Sequence, residues 1–182
     1  MKNLGHRLGA SGTILENTIE GLLESLDLVS DKRFKYWEFD VRESSDGVLF
    51  AFHDDCIKIN EKMIETRYLS YDEIHRAGES MMISIPTFQQ IMEVLKDRKE
   101  RVMIEIKNVH SDAAREALLL SVSGNEDWIL MSTPERFVKS FPSETRNLWN
   151  ERARTLGVKL VRVGRHRVDL FKASRYSIRW YF

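Results

Sequence analysis

Trp37-Glu38-Phe39-Asp40-Val41 and Met103-Ile104-Glu105-Ile106-Lys107 decide how this chain reads. Both stretches alternate apolar and charged residues, and in a strand residues two apart point the same way. Glu38 and Asp40 therefore share one face, with Trp37, Phe39 and Val41 on the other. Glu105 and Lys107 share a face opposite Ile104 and Ile106. Buried charge of this kind costs several kcal/mol unless it is paired or binds a metal. In a barrel of parallel strands the apolar face packs outward on helices. Inward polar residues belong at the C-terminal strand ends, where such barrels place their chemistry. Three carboxylates from two strands repel one another unless a cation sits among them. Oxygen-only ligation favours Mg²⁺ or Ca²⁺ over zinc.

The flanking sequence supplies helices at the right intervals. Glu16-Asn17-Thr18 opens one, with Asn17 as cap, Glu20 as its reciprocal partner, and Ile19, Leu22, Leu23 and Leu26 on one face. Residues 34–41 read as a strand, and residues 48–52 as a second extended piece after the Asp46-Gly47 turn signal. Residues 54–84 read as an irregular excursion holding a short helix from Tyr71, with Ser70 as cap and Glu73 as box partner. Pro86-Thr87 starts a helix carrying Phe88, Ile91, Met92 and Leu95, with Thr87 and Gln90 as a capping pair. Strands follow at 101–107, 128–132, 158–163 and 176–182, and helices at 112–120, 134–140 and 145–156. This alternation argues for parallel βα units.

At 182 residues the chain reads as a single domain, 1–182. Its 42% hydrophobic and 31% charged residues are those of a globular protein. No apolar stretch approaches the ~18–20 residues of a membrane span. Met1 to His6 has no apolar leader region, so no secretory signal is expected. Cys56 stands alone, which excludes an intrachain disulfide and a cysteine-based zinc site, and a cytoplasmic location is expected. Net charge is zero but uneven. From Glu151 onward nine Lys/Arg face only Glu151 and Asp169, about +7 against about −7 on residues 1–150. A solvated basic face is the plain reading, and attraction of an anionic substrate, a lipid head group or nucleic acid the sharper one. No aromatic-interleaved RNA motif or zinc-finger spacing supports nucleic acid.

His6 and His53 are the natural proton carriers, because an imidazole titrates near neutral pH. Arg7 and Lys107 supply positive charge suited to phosphate. Asp54 reads as ending its strand rather than orienting His53. His75, His110, His166 and Cys56 are assigned no role, and Trp128, Trp149 and Trp180 read as packing residues.

In order, Gly5-His6-Arg7, Glu16-Asn17-Thr18, Trp37-Glu38-Phe39-Asp40-Val41, Asp46-Gly47, His53-Asp54, Ile85-Pro86-Thr87-Phe88 and Glu105-Ile106-Lys107 resemble the glycerophosphodiester phosphodiesterases over residues 1 to about 110. The resemblance implies an α/β, TIM-like (β/α)₈ barrel with a small insertion after the second strand, here 54–84, leaving 111–182 as a divergent C-terminal part. It implies hydrolysis of a glycerophosphodiester, a small molecule, to glycerol 3-phosphate and an alcohol with a divalent cation. By resemblance, Glu38, Asp40 and Glu105 match the metal ligands, His6 and His53 the acid/base pair, and Arg7 and Lys107 the residues near the phosphate. Leu8 stands where the family usually has Gly, and Leu15 where it usually has Pro. Leu8 is expected to crowd the phosphate pocket. A full barrel needs roughly 200–250 residues, so this one reads as shortened, with about five or six of eight strands. Strand edges left open need cover, and either the C-terminal segment or a second copy in a homo-oligomer is expected to supply it. Two rival readings are a shortened barrel that binds a phosphodiester or a protein partner without turnover, and a phospholipase D- or sphingomyelinase D-like enzyme acting on intact lipid.

Overall fold

A computed structural model describes residues 3–163 and 180–181 of the chain. The chain groups into two compact units, Met1–Arg101 and Val102–Phe182.

The first unit is organised on β1, Trp37–Glu43, all seven residues of which are buried. Trp37, Phe39 and Val41 have no exposed surface, and each such side chain contributes about 1.5–3 kcal/mol on burial. The strand begins three residues later than the sequence suggests and runs on through Arg42 and Glu43. It turns at Gly47 (φ 84°) into β2, Leu49–Ala51, antiparallel with Val41 opposite Ala51. Among the described residues no strand precedes His6. Instead the N-terminal turns dock on β1 through two backbone bonds, Glu38 N–H to the Gly5 carbonyl and Leu8 N–H to the Glu38 carbonyl, both 2.8 Å. Gly5 is required there, because a Cβ would overlap the Tyr36 carbonyl. Leu8 packs into the core. Its side chain is fully buried, at the cost of a left-handed backbone (φ 57°).

Helix α1, Ile19–Glu24, is capped by Thr18, whose hydroxyl accepts from Gly21 N–H. The sequence expectation of Asn17 as cap is corrected, since Asn17 (φ 61°) is drawn to Asp40 instead. In a helix this short only Leu22 of the expected apolar face is fully buried, and Leu23 is exposed. Residues 54–84 are also more regular than expected. β3, Cys56–Ile59, and β4, Lys62–Glu65, form an antiparallel hairpin. Its two-residue turn, Asn60-Glu61, has positive φ at both positions (47° and 64°), the type I′ geometry. Helix α2, Tyr71–Ser80, follows its Ser70/Glu73 capping box. Phe50, Ile57, Leu69, Ile74 and Ile85 pack this insertion into one apolar cluster. Helix α3, Phe88–Leu95, starts with the expected Thr87/Gln90 box. Thr87→Ala is expected to lower unfolding free energy by ~1 kcal/mol. An unchanged denaturant midpoint would show that the cap contributes nothing.

The second unit is a run of parallel βα units. β5, Val102–Asn108, pairs with β6, Trp128–Ser132, with Ile104 opposite Leu130. β7, Lys159–Val163, pairs with β6, and β8, Trp180–Tyr181, with β7. The helices between them are α4, Asp112–Val122, α5, Pro134–Ser140, and α6, Ser143–Thr155. Trp128 and Trp149 are buried, as packing residues should be. Of the strand expected at 176–182, residues 176–179 and 182 lie outside the described residues, as does His166. The chain is thus α/β. β5 to β8 and the like-patterned β1 give five barrel strands among the described residues, short of eight. No helix among them is long and apolar enough to cross a membrane.

Candidate active site

Glu38 and Asp40 sit on consecutive like-facing positions of β1 and are 4% and 1% exposed. Their carboxylate oxygens approach within 4.8 Å of each other. Two anions that close repel by about 3–4 kcal/mol at an effective dielectric near 20, so their neighbours matter. Glu38 Oε2 accepts from the Arg7 backbone N–H at 2.9 Å. Asp40 is bracketed by Asn17, which donates Nδ2–H to Asp40 Oδ2 (2.9 Å) and accepts the Asp40 backbone N–H on Oδ1 (3.1 Å). The left-handed backbone of Asn17 lets one amide serve both bonds, a conformation Asn tolerates better than most residues.

Arg7 lies over the same carboxylates. Its Nε is 3.8 Å from Asp40 Oδ2, and its Nη1 donates to both oxygens of Glu16 at 2.7 Å. Burial opposes the guanidinium charge. The Glu16 hydrogen bond and the carboxylates of Glu16, Asp40 and Glu38 outweigh it and raise the Arg7 pKa. The cation is therefore fixed at every pH the protein meets.

His6 is turned by Ser11, whose Oγ is 2.8 Å from Nδ1, so that Nε2 lies 3.7 Å from Glu38 Oε2. His53 is turned by Asp54, whose Oδ1 is 2.7 Å from Nδ1. That corrects the reading of Asp54 as a mere strand terminator. A carboxylate on Nδ1 fixes the tautomer and leaves Nε2 to exchange a proton. Both side chains are about one-third exposed (34%), within reach of a substrate. His53 and Glu16, the partner of Arg7, line one cavity.

Arg42 holds His53 from behind. It is buried, and donates Nε–H to the Phe52 carbonyl (3.0 Å) and Nη2–H to the His53 carbonyl (2.6 Å) while pairing with Asp55. The alternation of β1 carries the signal that finds it, because Arg42 follows Glu38 and Asp40 on the same face. Arg42→Met leaves two carbonyls without their donors, at about 1–3 kcal/mol each. A loss of roughly 2–4 kcal/mol in denaturant unfolding is expected, and a variant as stable as its parent would show that water replaces the guanidinium.

In the second unit, Glu105 and Lys107 lie together on β5, with Lys107 Nζ 2.5 Å from Glu105 Oε1 and both side chains mostly buried. Ser132 Oγ donates to the Ile106 carbonyl (2.8 Å) and Arg136 Nη1 to the Lys107 carbonyl (3.2 Å), fixing this segment. The His75 ring lies 5.9 Å from that of Tyr71, tilted against it, and its Nδ1 is 3.8 Å from Glu79 Oε2. Within the first unit, then, His6, Arg7, Glu38 and Asp40 come together, with Asn17, Glu16 and Ser11 as supports. The sequence reading assigned Ser11 and Glu16 no side-chain role and gave Asn17 only that of a cap, because each bonds a residue distant in the chain or across a turn.

The model of the glycerophosphoryl diester phosphodiesterase family matches residues 6–169. No curated protein matches the chain. Among solved structures, a member of that class from Silicibacter pomeroyi DSS-3 is 18% identical with a TM-score of 0.57, over 87% of this chain and 63% of that one. The glycerophosphodiester phosphodiesterase of Parabacteroides distasonis ATCC 8503 is 17% identical with a TM-score of 0.52, over 89% and 83%. That of Thermotoga maritima is 17% identical with a TM-score of 0.50, over 87% and 83%. At such identities the likeness shows the fold, a TIM-like barrel, and the chain spans less than two thirds of the Silicibacter protein. With nine-tenths of its length matched, and with the His-Arg, Glu-x-Asp and His-Asp elements placed as described, the chain belongs to the glycerophosphoryl diester phosphodiesterase family.

Proposed function

We propose that this protein hydrolyses a glycerophosphodiester to glycerol 3-phosphate and an alcohol, using a divalent cation held by Glu38, Asp40 and Glu105. The observation that carries the reading is the buried Glu38/Asp40 pair beside an imidazole and a fixed guanidinium. A donor set of hard, anionic oxygens suits Mg²⁺ or Ca²⁺. Inclusion of Glu105 rests on the family pattern. When bound, the cation supplies charge neutralisation for the non-bridging phosphate oxygens.

The protein's own groups do the rest. The guanidinium N–H groups of Arg7 not used by Glu16 donate to the phosphate, and Lys107 adds a second positive charge. Nε2 of His6 takes the proton of the attacking group, either water, which gives glycerol 3-phosphate directly, or the substrate's neighbouring hydroxyl, which gives a cyclic phosphate that water then opens to glycerol 3-phosphate. Nε2 of His53, backed by Asp54, protonates the departing alkoxide. Arg42 and Asn17 touch no substrate and act by holding His53 and Asp40. The lone Cys56 fits a reducing compartment, and the cytoplasm is the location we propose.

Glycerophosphodiesters incubated with Mg²⁺ or Ca²⁺ are expected to release glycerol 3-phosphate, and EDTA to stop the release. Binding of the diester without any turnover under either metal would replace hydrolysis with a purely binding role.

A further inference from the structure

We propose that the cavity beside His53 receives the leaving alcohol, and that it selects an unbranched aliphatic alcohol over a cationic or polyhydroxylated one. The choice of ligand rests on the hydrolytic reading above, because the group that protonates the alkoxide must stand where the alcohol departs. The cavity has a volume of about 230 Å³. It is bounded by His53 and Glu16 on one side and by the β3–β4 hairpin and the segment after α2 on the other.

Its charged lining groups are already engaged. Both oxygens of Glu16 accept from Arg7, Asp54 Oδ1 holds His53, and Lys58 pairs with Glu61 at 2.7 Å. The Thr13 hydroxyl donates to the Ala10 carbonyl, and apart from the Cys56 thiol what remains to meet a ligand is apolar: Ile14, Phe52, Ile57, Met63, Met81 and Ile83. Phe52 is the one benzene ring in that lining, with no Tyr or Trp beside it, whereas recognition of a quaternary ammonium uses a cage of several such faces. Met63 and Ile14 are 66% and 54% exposed although they are large and apolar, and core packing does not explain them. They stand at the mouth, where a methionine adapts to a chain of variable length. The volume lies below the roughly 300–1,000 Å³ of sites for drug-sized ligands, so a short chain or the first methylenes of a longer one fits.

The test is a series of glycerophosphodiesters with ethyl, butyl and hexyl alcohols, beside the choline and ethanolamine diesters. From ethyl to butyl, kcat/KM is expected to rise about threefold per methylene, slightly less than full burial would give. Met63→Asp, a change at an exposed position, is expected to flatten that slope. A flat series in the parent protein, or preference for choline or ethanolamine over butyl, overturns the proposal. In parallel, methionine methyl groups labelled with ¹³C are followed by NMR during titration with butyl phosphate, with Met63→Leu and Met81→Leu used for assignment. Shifts of both signals are expected. Should no diester be cleaved, shifts at Met63 and Met81 would leave the cavity assignment standing while hydrolysis falls. Absence of both shifts overturns the cavity assignment whatever the activity.

Discussion

His6→Ala and His53→Ala are each expected to lower kcat/KM for glycerophosphodiester hydrolysis by at least ~10²-fold, the ordinary worth of general acid–base catalysis. The reason is geometric. Each ring has one nitrogen spent on an orienting oxygen, Ser11 Oγ for His6 and Asp54 Oδ1 for His53, and each presents its Nε2 at a surface a substrate can reach. The two variants should differ in how they respond to the substrate. A diester with a low-pKa leaving group, such as a nitrophenol, needs no proton from His53, so it should recover much of the rate in His53→Ala and none in His6→Ala. Equal recovery in both, or full activity in either, would remove that histidine from the reaction. Because neither ring is in the core, thermal stability of both variants should stay within about 0.5 kcal/mol of the parent, as surface changes usually do.

Glu38→Gln should be the more damaging change for cation binding and yet harmless to the empty fold. The side chain is 4% exposed and its Oε2 accepts the Arg7 N–H, a bond that an amide oxygen also accepts. Removing one of two buried carboxylates within 4.8 Å of each other also removes their repulsion. Without metal, the variant is therefore expected to be at least as stable as the parent. With Ca²⁺ at about a hundred times its Kd, the parent gains roughly 2.7 kcal/mol of unfolding free energy by mass action, and Glu38→Gln gains almost none. Hydrolysis should fall by ~10²–10³-fold, as when one preorganised electrostatic group is lost from a site. A purely structural Glu38 predicts the reverse: lower stability without metal and an unchanged response to Ca²⁺.

Local signals were the legible part of this fold. The Thr87/Gln90 and Ser70/Glu73 boxes start their helices where the sequence puts them, and β6 and α5 match residue for residue, because caps and short periodic runs are settled by near neighbours. The failures share a cause in distant contacts. Asn17 has the chemistry of a helix cap, but Asp40, twenty-three residues away, claims both ends of its amide, and Thr18 takes the cap. Asn60-Glu61 turns a hairpin without the glycine that usually announces one, since the cluster around Ile57 and Ile74 fixes the hairpin from outside. The charged residues of the candidate site were readable from strand alternation. Two of their supports were not, because Ser11 and Glu16 are ordinary polar residues until the chain brings His6 and Arg7 to them, whereas Arg42 stands on the same alternating face of β1 and only its hold on the His53 carbonyl was hidden.

The most direct measurement is the position of a bound cation. Crystals grown with Ca²⁺, with its anomalous signal mapped, are predicted to show one ion bonded to carboxylate oxygens of Glu38, Asp40 and Glu105, with the His6 and His53 rings on either side of an adjoining phosphate site. An ion found elsewhere, or Glu105 turned away from Glu38 and Asp40 while calcium is present, would contradict the account.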